Sequence, residues 1–197
     1  MRYLVLSAAL LLTMMLTGCT STSTPPVIER SGDVRVGDIP VVLLGRSPEV
    51  GETAPDFRVV DATFKPVKLS DFKDRAVLIS VVPSLDTGVC SLQTKRFNAE
   101  AAKLAPMTQV ITISMDLPFA QKRFCQDLKN SGMLVLSDSV WREFGTKYGL
   151  MVKDRGFLAR SVWVIGRDGR IVYRQIVPQL GSEPDYRQAV KAAWNAM

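Results

Sequence analysis

Residues 76–82, Ala76-Val77-Leu78-Ile79-Ser80-Val81-Val82, form a nearly unbroken apolar run rich in β-branched side chains, and Pro83 closes it. Such a run suits a strand buried on both faces, which requires a parallel or mixed sheet covered on each side. The rest of the chain can be read around this strand. Val34 to Leu44 reads as two short strands about Gly37-Asp38, a hairpin. Phe57 to Val60 is a further short strand, and Ser70-Asp71-Phe72 begins a helical turn. Val89 to Leu104 has helical spacing, with Val89, Leu92, Phe97, Ala101 and Leu104 near one face. Gln109 to Met115 is a second buried strand, and Pro118 to Leu128 a helix with proline in its first turn. Leu134 to Leu136 is a third strand. Ser137, Asp138 and Ser139 offer an N-cap for a helix through Lys147 that Gly149 ends. Ser161 to Ile165 and Arg170 to Val177 are strands joined by Gly166-Arg167-Asp168-Gly169, and a last helix spans Asp185 to Ala196. The βαβαβ…ββα order predicts an α/β sandwich with a central mixed sheet. The 197 residues suit one domain with an appendage, and no internal repeat is visible.

The appendage is N-terminal. Met1-Arg2 is a short basic start, and the apolar run Tyr3 to Leu16 has the proportions of a secretory h-region. Leu16-Thr17-Gly18-Cys19 resembles a bacterial lipobox, in which the peptide is cut before a cysteine that then carries lipid. Thr20-Ser21-Thr22-Ser23-Thr24-Pro25-Pro26 continues as a polar tether. The expected organisation is a signal peptide at 1–18, lipidated Cys19 and tether at 19–33, and a folded domain at 34–197. Lipidation at Cys19 places that domain in the cell envelope, anchored to a membrane and facing the periplasm or the exterior. Thr20 rather than Asp after the cysteine favours the outer membrane in a bacterium with two membranes. A plain signal peptide with a fortuitous cysteine is the simpler alternative.

Composition narrows the chemistry. Histidine is absent, which excludes Ser-His-Asp and Cys-His nucleophile systems and His-ligated metals. Three cysteines are too few for a four-cysteine zinc or iron–sulfur site. The formal charge is +6, but no basic run has interleaved aromatics, so nucleic acid is not an expected partner. With Cys19 assigned to lipid, Cys90 and Cys125 remain, in a compartment where disulfides persist. They could form a structural pair or a redox-active one.

Pro83-Ser84-Leu85-Asp86-Thr87-Gly88-Val89-Cys90 runs from the buried strand into a helix, placing Cys90 in the first helical turn. Open α/β sheets hold their ligand sites at this strand end. The unpaired N–H groups and positive dipole end of a helix favour a thiolate. Thr87-x-x-Cys90 also looks like a thioredoxin-type Cys-x-x-Cys site whose first cysteine has become a hydroxyl, so no local disulfide can form.

This Pro83-to-Cys90 segment resembles the peroxidatic motif of the bacterial thiol peroxidases, a branch of the atypical two-cysteine peroxiredoxins. Asp116-Leu117-Pro118-Phe119-Ala120-Gln121-Lys122-Arg123-Phe124-Cys125 resembles that family's resolving-cysteine segment, and Leu158 to Ile165 the strand with its active-site arginine, Arg160. The hairpin, Gly51 to Phe57 and Glu183-Pro184-Asp185-Tyr186 follow the family layout, so the likeness covers roughly 34–197. The resemblance implies a thioredoxin-like fold and reduction of hydrogen peroxide and alkyl hydroperoxides at a Cys90 thiolate. It further implies that Thr87 and Arg160 hydrogen-bond sulfur and peroxide while Pro83 shields the site. The resulting Cys90 sulfenic acid would form an intrasubunit disulfide with Cys125. A thioredoxin-like donor would recycle it, the subunits would pair as a homodimer, and no metal, haem or flavin cofactor would be needed. Cytoplasmic thioredoxin cannot reach an exported domain, so the expected donor is an envelope counterpart.

Each residue also has a plainer reading. Thr87 could be only an N-cap, Pro83 only a strand end, and Arg160, at a strand start, an exposed edge charge. The rival functions are an envelope thiol–disulfide oxidoreductase and a non-enzymatic lipoprotein with a structural disulfide.

Overall fold

The computed structural model describes residues 27–128 and 132–197. The expected signal peptide, Cys19 and the tether as far as Pro26 lie outside the described residues. Strand β1 (Glu29–Val36) pairs antiparallel with β2 (Ile39–Leu44) about Gly37-Asp38. The hairpin starts earlier than the expected boundary at Val34, because Glu29, Arg30 and Ser31 already pair with Leu44, Leu43 and Val42. The two residues of β8 (Met151–Val152) complete a three-stranded sheet on the far edge of β2.

The main sheet has seven strands: β3 (Arg58–Val60), β4 (Pro66–Lys68), β5 (Ala76–Val81), β6 (Thr108–Ser114), β7 (Leu134–Ser137), β9 (Ser161–Ile165) and β10 (Ile171–Ile176). Their order across the sheet is β10-β9-β5-β6-β7-β3-β4. β5 is central and wholly buried, parallel to β6 and antiparallel to β9, so the sheet is mixed as the apolar run required. The two-residue period of a strand divides its side chains between two cores. Val77, Ile79 and Val81 join a cluster with Trp163, Phe57, Phe144, Tyr148 and the hairpin's Val34, Val41 and Leu43. Leu78 points the other way, to Phe97, Ala101 and Leu104 of α1 (Gly88–Leu104) and to Ala189 and Ala193 of α4 (Tyr186–Asn195). Asp185 caps α4 by accepting from the Gln188 N–H at 2.9 Å. Helix α2 (Pro118–Gln126) begins at the expected proline and lies beside β7.

Helix α3 differs from expectation. It is confined to Glu143–Lys147, and its preceding residue, Arg142, is left-handed at φ 56°. Asp138 still serves the helix, but from a distance. Its buried carboxylate accepts from Phe144 N at 3.1 Å and Gly145 N at 2.8 Å, so the chain turns once before helix forms. Burial pushes the Asp138 carboxyl up to about 6, against the two N–H bonds that favour its ionised form. Gly149 ends the segment at φ +63°; a Cβ there would sit 2.7 Å from the Arg46 carbonyl carbon. Strands β4 and β8 have no counterpart in the sequence reading. They are three and two residues long, too short to show any alternation.

Candidate active site

Strand β5 stops at Val81, and Val82 to Thr87 turn the chain into α1, whose third residue is Cys90. Thr87 occupies the N-cap position with extended backbone, φ −103° and ψ 147°, but its side chain makes no capping bond. Its hydroxyl instead donates to the Ser84 carbonyl at 3.3 Å, a bond internal to the loop. Thr87 therefore neither caps α1 through its side chain nor hydrogen-bonds the sulfur here. The Ser91 N–H closes the first turn onto the Thr87 carbonyl at 2.9 Å.

Cys90 is fully buried in a small cluster with Val82 and Leu85, against which Phe124 of α2 packs. Arg160, immediately before β9, meets it there. Only 2% of this arginine is exposed, which overturns the reading of an edge charge. The guanidinium enters the fold because three groups receive it. Nε donates to the Leu180 carbonyl at 2.9 Å, Nη1 to Gln93 Oε1 at 2.7 Å, and Nη2 to Cys90 Sγ at 3.2 Å. Gln93 lies one turn beyond Cys90 on α1. Its amide is oriented by donating to Ser80 Oγ of β5 at 2.8 Å. Among the described residues, no carboxylate forms an ion pair with Arg160. A buried cation without an anionic partner is costly. An ionised sulfur at position 90 would supply the missing countercharge.

The sulfur and guanidinium border a cleft of about 600 Å³ that Pro83, Thr87, Asp116 and Phe157 also line. Four of the five predicted residues, Pro83, Thr87, Cys90 and Arg160, thus share one cavity. Cys125 does not line it. It sits near the end of α2, partly buried, and burial raises its thiol above the ordinary cysteine value. Both cysteines are free, so the expected Cys90–Cys125 disulfide is not present in this structure. Cys90 is instead held inward by Arg160, while Phe124, next to Cys125 in sequence, packs against the Cys90 cluster.

Two residues gained no role from sequence. Gln93 has a usable signal, a polar side chain at the i+3 position from Cys90 on a helix facing the sheet. Asp116 stood in a recognised motif, but what it binds depends on the folded loop: Ser84 Oγ donates to it at 2.7 Å, the Leu85 N–H at 2.7 Å and Ser114 Oγ at 2.8 Å.

Known proteins share this frame. Residues 49–190 match the Redoxin family. A thiol peroxidase of Listeria innocua is 46% identical over 157 residues, covering 80% of this chain and 94% of its own length. One from Bacillus subtilis is 44% identical over 154 residues, 78% of this chain and 92% of its own. The crystal structure of a peroxiredoxin-like protein from Aquifex aeolicus superposes with a TM-score of 0.79 at 36% identity, covering 85% of this chain and 99% of its own. A thiol peroxidase from Chromobacterium violaceum, 20% identical, shares the fold with a TM-score of 0.73 over 82% of this chain and 95% of its own. A thioredoxin-like sheet, an N-terminal hairpin and identity of this extent over most of the chain lead to one conclusion: the chain belongs to the thiol peroxidases of the Redoxin family and is a thiol-dependent peroxidase.

Proposed function

We propose that Cys90 is the residue that reduces hydroperoxides and that Cys125 resolves the product. The single observation carrying this reading is the buried Arg160 guanidinium, unpaired by any described carboxylate and donating to Cys90 Sγ at 3.2 Å. In the first step the Cys90 thiolate attacks the terminal oxygen of ROOH. An S–O bond forms, the O–O bond breaks, and RO⁻ leaves to take a proton from water. Sulfur is oxidised to Cys90 sulfenic acid and the peroxide is reduced to ROH. Arg160 fits both ends of this step, since it keeps its charge and offers several donors to the sulfur and to oxygen as charge moves there. Thr87 exchanges its 3.3 Å bond to Ser84 for one to the peroxide, and Pro83 covers the sulfur from water.

In the second step the Cys125 sulfur attacks the Cys90 sulfur, an S–S bond forms and the hydroxyl leaves as water. A dithiol on a thioredoxin-like protein then reduces the disulfide by two successive exchanges and is itself oxidised. Cys19 carries the lipid in this reading, which puts the peroxidase and its donor in the envelope. The protein works as a homodimer.

Peroxide consumption with a thioredoxin-like donor tests the core of the proposal. Cys90→Ser abolishes it, whereas Cys125→Ser allows one oxidation and then stalls. A Cys90→Ser variant that still turns over peroxide would sink the reading. Labelling with a radioactive fatty acid, lost on Cys19→Ala, tests the anchor, and light scattering on the soluble domain tests the dimer.

A further inference from the structure

The resolving step poses a geometric problem. Cys90 is wholly buried and bonded to Arg160, while Cys125 lies on a different helix and outside the cleft. The segments carrying them must therefore separate from their present packing before the two sulfurs meet. Phe124 of α2 packs on the Cys90 cluster and an exposed Arg123–Asp86 ion pair at 3.8 Å links α2 to the loop, but one side chain ties the start of α2 to the loop by short, partly buried hydrogen bonds. Asp116 lies between β6 and α2, the helix that bears Cys125. Its backbone is tied to the sheet, because Ser137 Oγ of β7 donates to the Asp116 carbonyl at 2.6 Å. Its carboxylate reaches the opposite way, into the loop that leads to Cys90, and accepts from Ser84 Oγ and the Leu85 N–H, both at 2.7 Å.

Ser84 organises that loop. Its hydroxyl donates to Asp116 and accepts from the Asp86 N–H at 3.3 Å, while its carbonyl accepts from the Thr87 N–H at 3.2 Å and the Thr87 hydroxyl at 3.3 Å. Hydrogen bonds to an ionised acceptor are the stronger kind, and here two of them converge on one loop. None of the three donors to the carboxylate is the reacting sulfur.

We propose that Asp116 is a positioning residue, a latch that holds the Pro83–Thr87 loop closed over Cys90 and must release before Cys125 can reach it. The proposal rests on the assignment of Cys90 and Cys125 given above. The latch sets the population of the open form, and with it the rate of the step Cys90–SOH + HS–Cys125 → Cys90–S–S–Cys125 + H₂O. A slower resolving step leaves the sulfenic acid exposed longer to a second peroxide, which converts it to sulfinic acid.

Quench-flow with mass spectrometry on the full domain separates the steps by scoring sulfenic acid, disulfide and sulfinic acid after one addition of hydrogen peroxide. Asp116→Ala forms the disulfide faster, by about tenfold, is oxidised by peroxide no faster than wild type, and yields less sulfinic acid at high peroxide. Asp116→Asn falls between wild type and Asp116→Ala, because its carbonyl oxygen still accepts the Leu85 N–H and the Ser84 hydroxyl can turn to accept from its amide, while the charge that strengthens both bonds is lost. If Asp116→Ala does not fold, Ser84→Ala decides, since it removes one hydroxyl and must shift the resolving rate in the same direction. A role confined to holding the fold predicts a disulfide step that is unchanged or slower, and that result would overturn the latch. A wild-type protein that forms no Cys90–Cys125 disulfide at all would instead bring down the underlying assignment.

Discussion

Replacing Arg160 by methionine separates what the guanidinium does for the reaction from what it does for the fold. Methionine fills a similar volume and brings no charge. Three hydrogen bonds disappear, to the Leu180 carbonyl, Gln93 Oε1 and Cys90 Sγ. Each bond to a charged donor contributes about 1.5–3 kcal/mol, and the Leu180 carbonyl and Gln93 Oε1 are left without their donor, but the several kcal/mol spent on desolvating the guanidinium is recovered. The two contributions nearly cancel, so the melting temperature moves little. The reaction has no such compensation. Removing one preorganised donor to developing charge costs about 2.7–4 kcal/mol, or roughly 10²–10³ in rate, and the sulfur also loses its buried countercharge. Stopped-flow mixing of reduced protein with excess hydrogen peroxide reads the second-order rate constant, and differential scanning calorimetry reads the melt. The expected pair is a rate at least about a hundredfold down with a melting shift of a few degrees. A rate within about threefold of wild type, or a fall of more than about 10 °C (about 3 kcal/mol for a chain of this size), would show that Arg160 serves the fold rather than the sulfur.

Gln93→Leu leaves one face of the same guanidinium without its acceptor, and peroxide oxidation slows by about tenfold with reductant KM unchanged in a coupled assay. Asp138, lifted by burial to about 6 from 3.8, binds its proton more tightly folded than unfolded. Its contribution to stability is therefore complete below about pH 4 and is lost as pH rises through about 6, on the order of 3 kcal/mol in all; urea melts of wild type and Asp138→Asn across this window give a difference curve with that slope or refute it. Cys125 is held above the ordinary thiol value by burial, so disulfide formation, followed in single turnover, accelerates with pH until beyond that value. A plateau near neutrality would mean that its thiol ionises more readily than the folded environment allows.

The order of elements was legible because each long one carries its own period. The run from Ala76 to Val82 is buried on both faces, and Phe97, Ala101 and Leu104 of α1 face the core as their spacing requires, but Leu92 is exposed and the buried side of the helix near Cys90 is formed by the polar Gln93 and Thr94. Boundaries were less legible where pairing rather than composition decides them. Glu29 to Ser31 look like tether but are strand, because Val42 to Leu44 lie opposite. Within the site, the position of Cys90 could be read from strand, turn and helix. The burial of Arg160 could not, since its acceptors come from residues 93 and 180, distant in sequence and in one case a main-chain carbonyl. Thr87 was read as a cap from its position, yet the folded loop gives its hydroxyl to Ser84. Asp116 likewise acquires its meaning only when Ser84 and Leu85, more than thirty residues earlier, arrive beside it.

Ser80 is the one hydroxyl in a strand otherwise made of hydrocarbon, and its partner is the amide of Gln93. That bond hands the orientation of the guanidinium back to the middle of the sheet. Any engineer who tidied the interior by writing valine at position 80 would gain apolar contact but leave the amide nitrogen only a weaker 3.4 Å bond to the Val81 carbonyl. The damage would surface as a sluggish thiol some distance away.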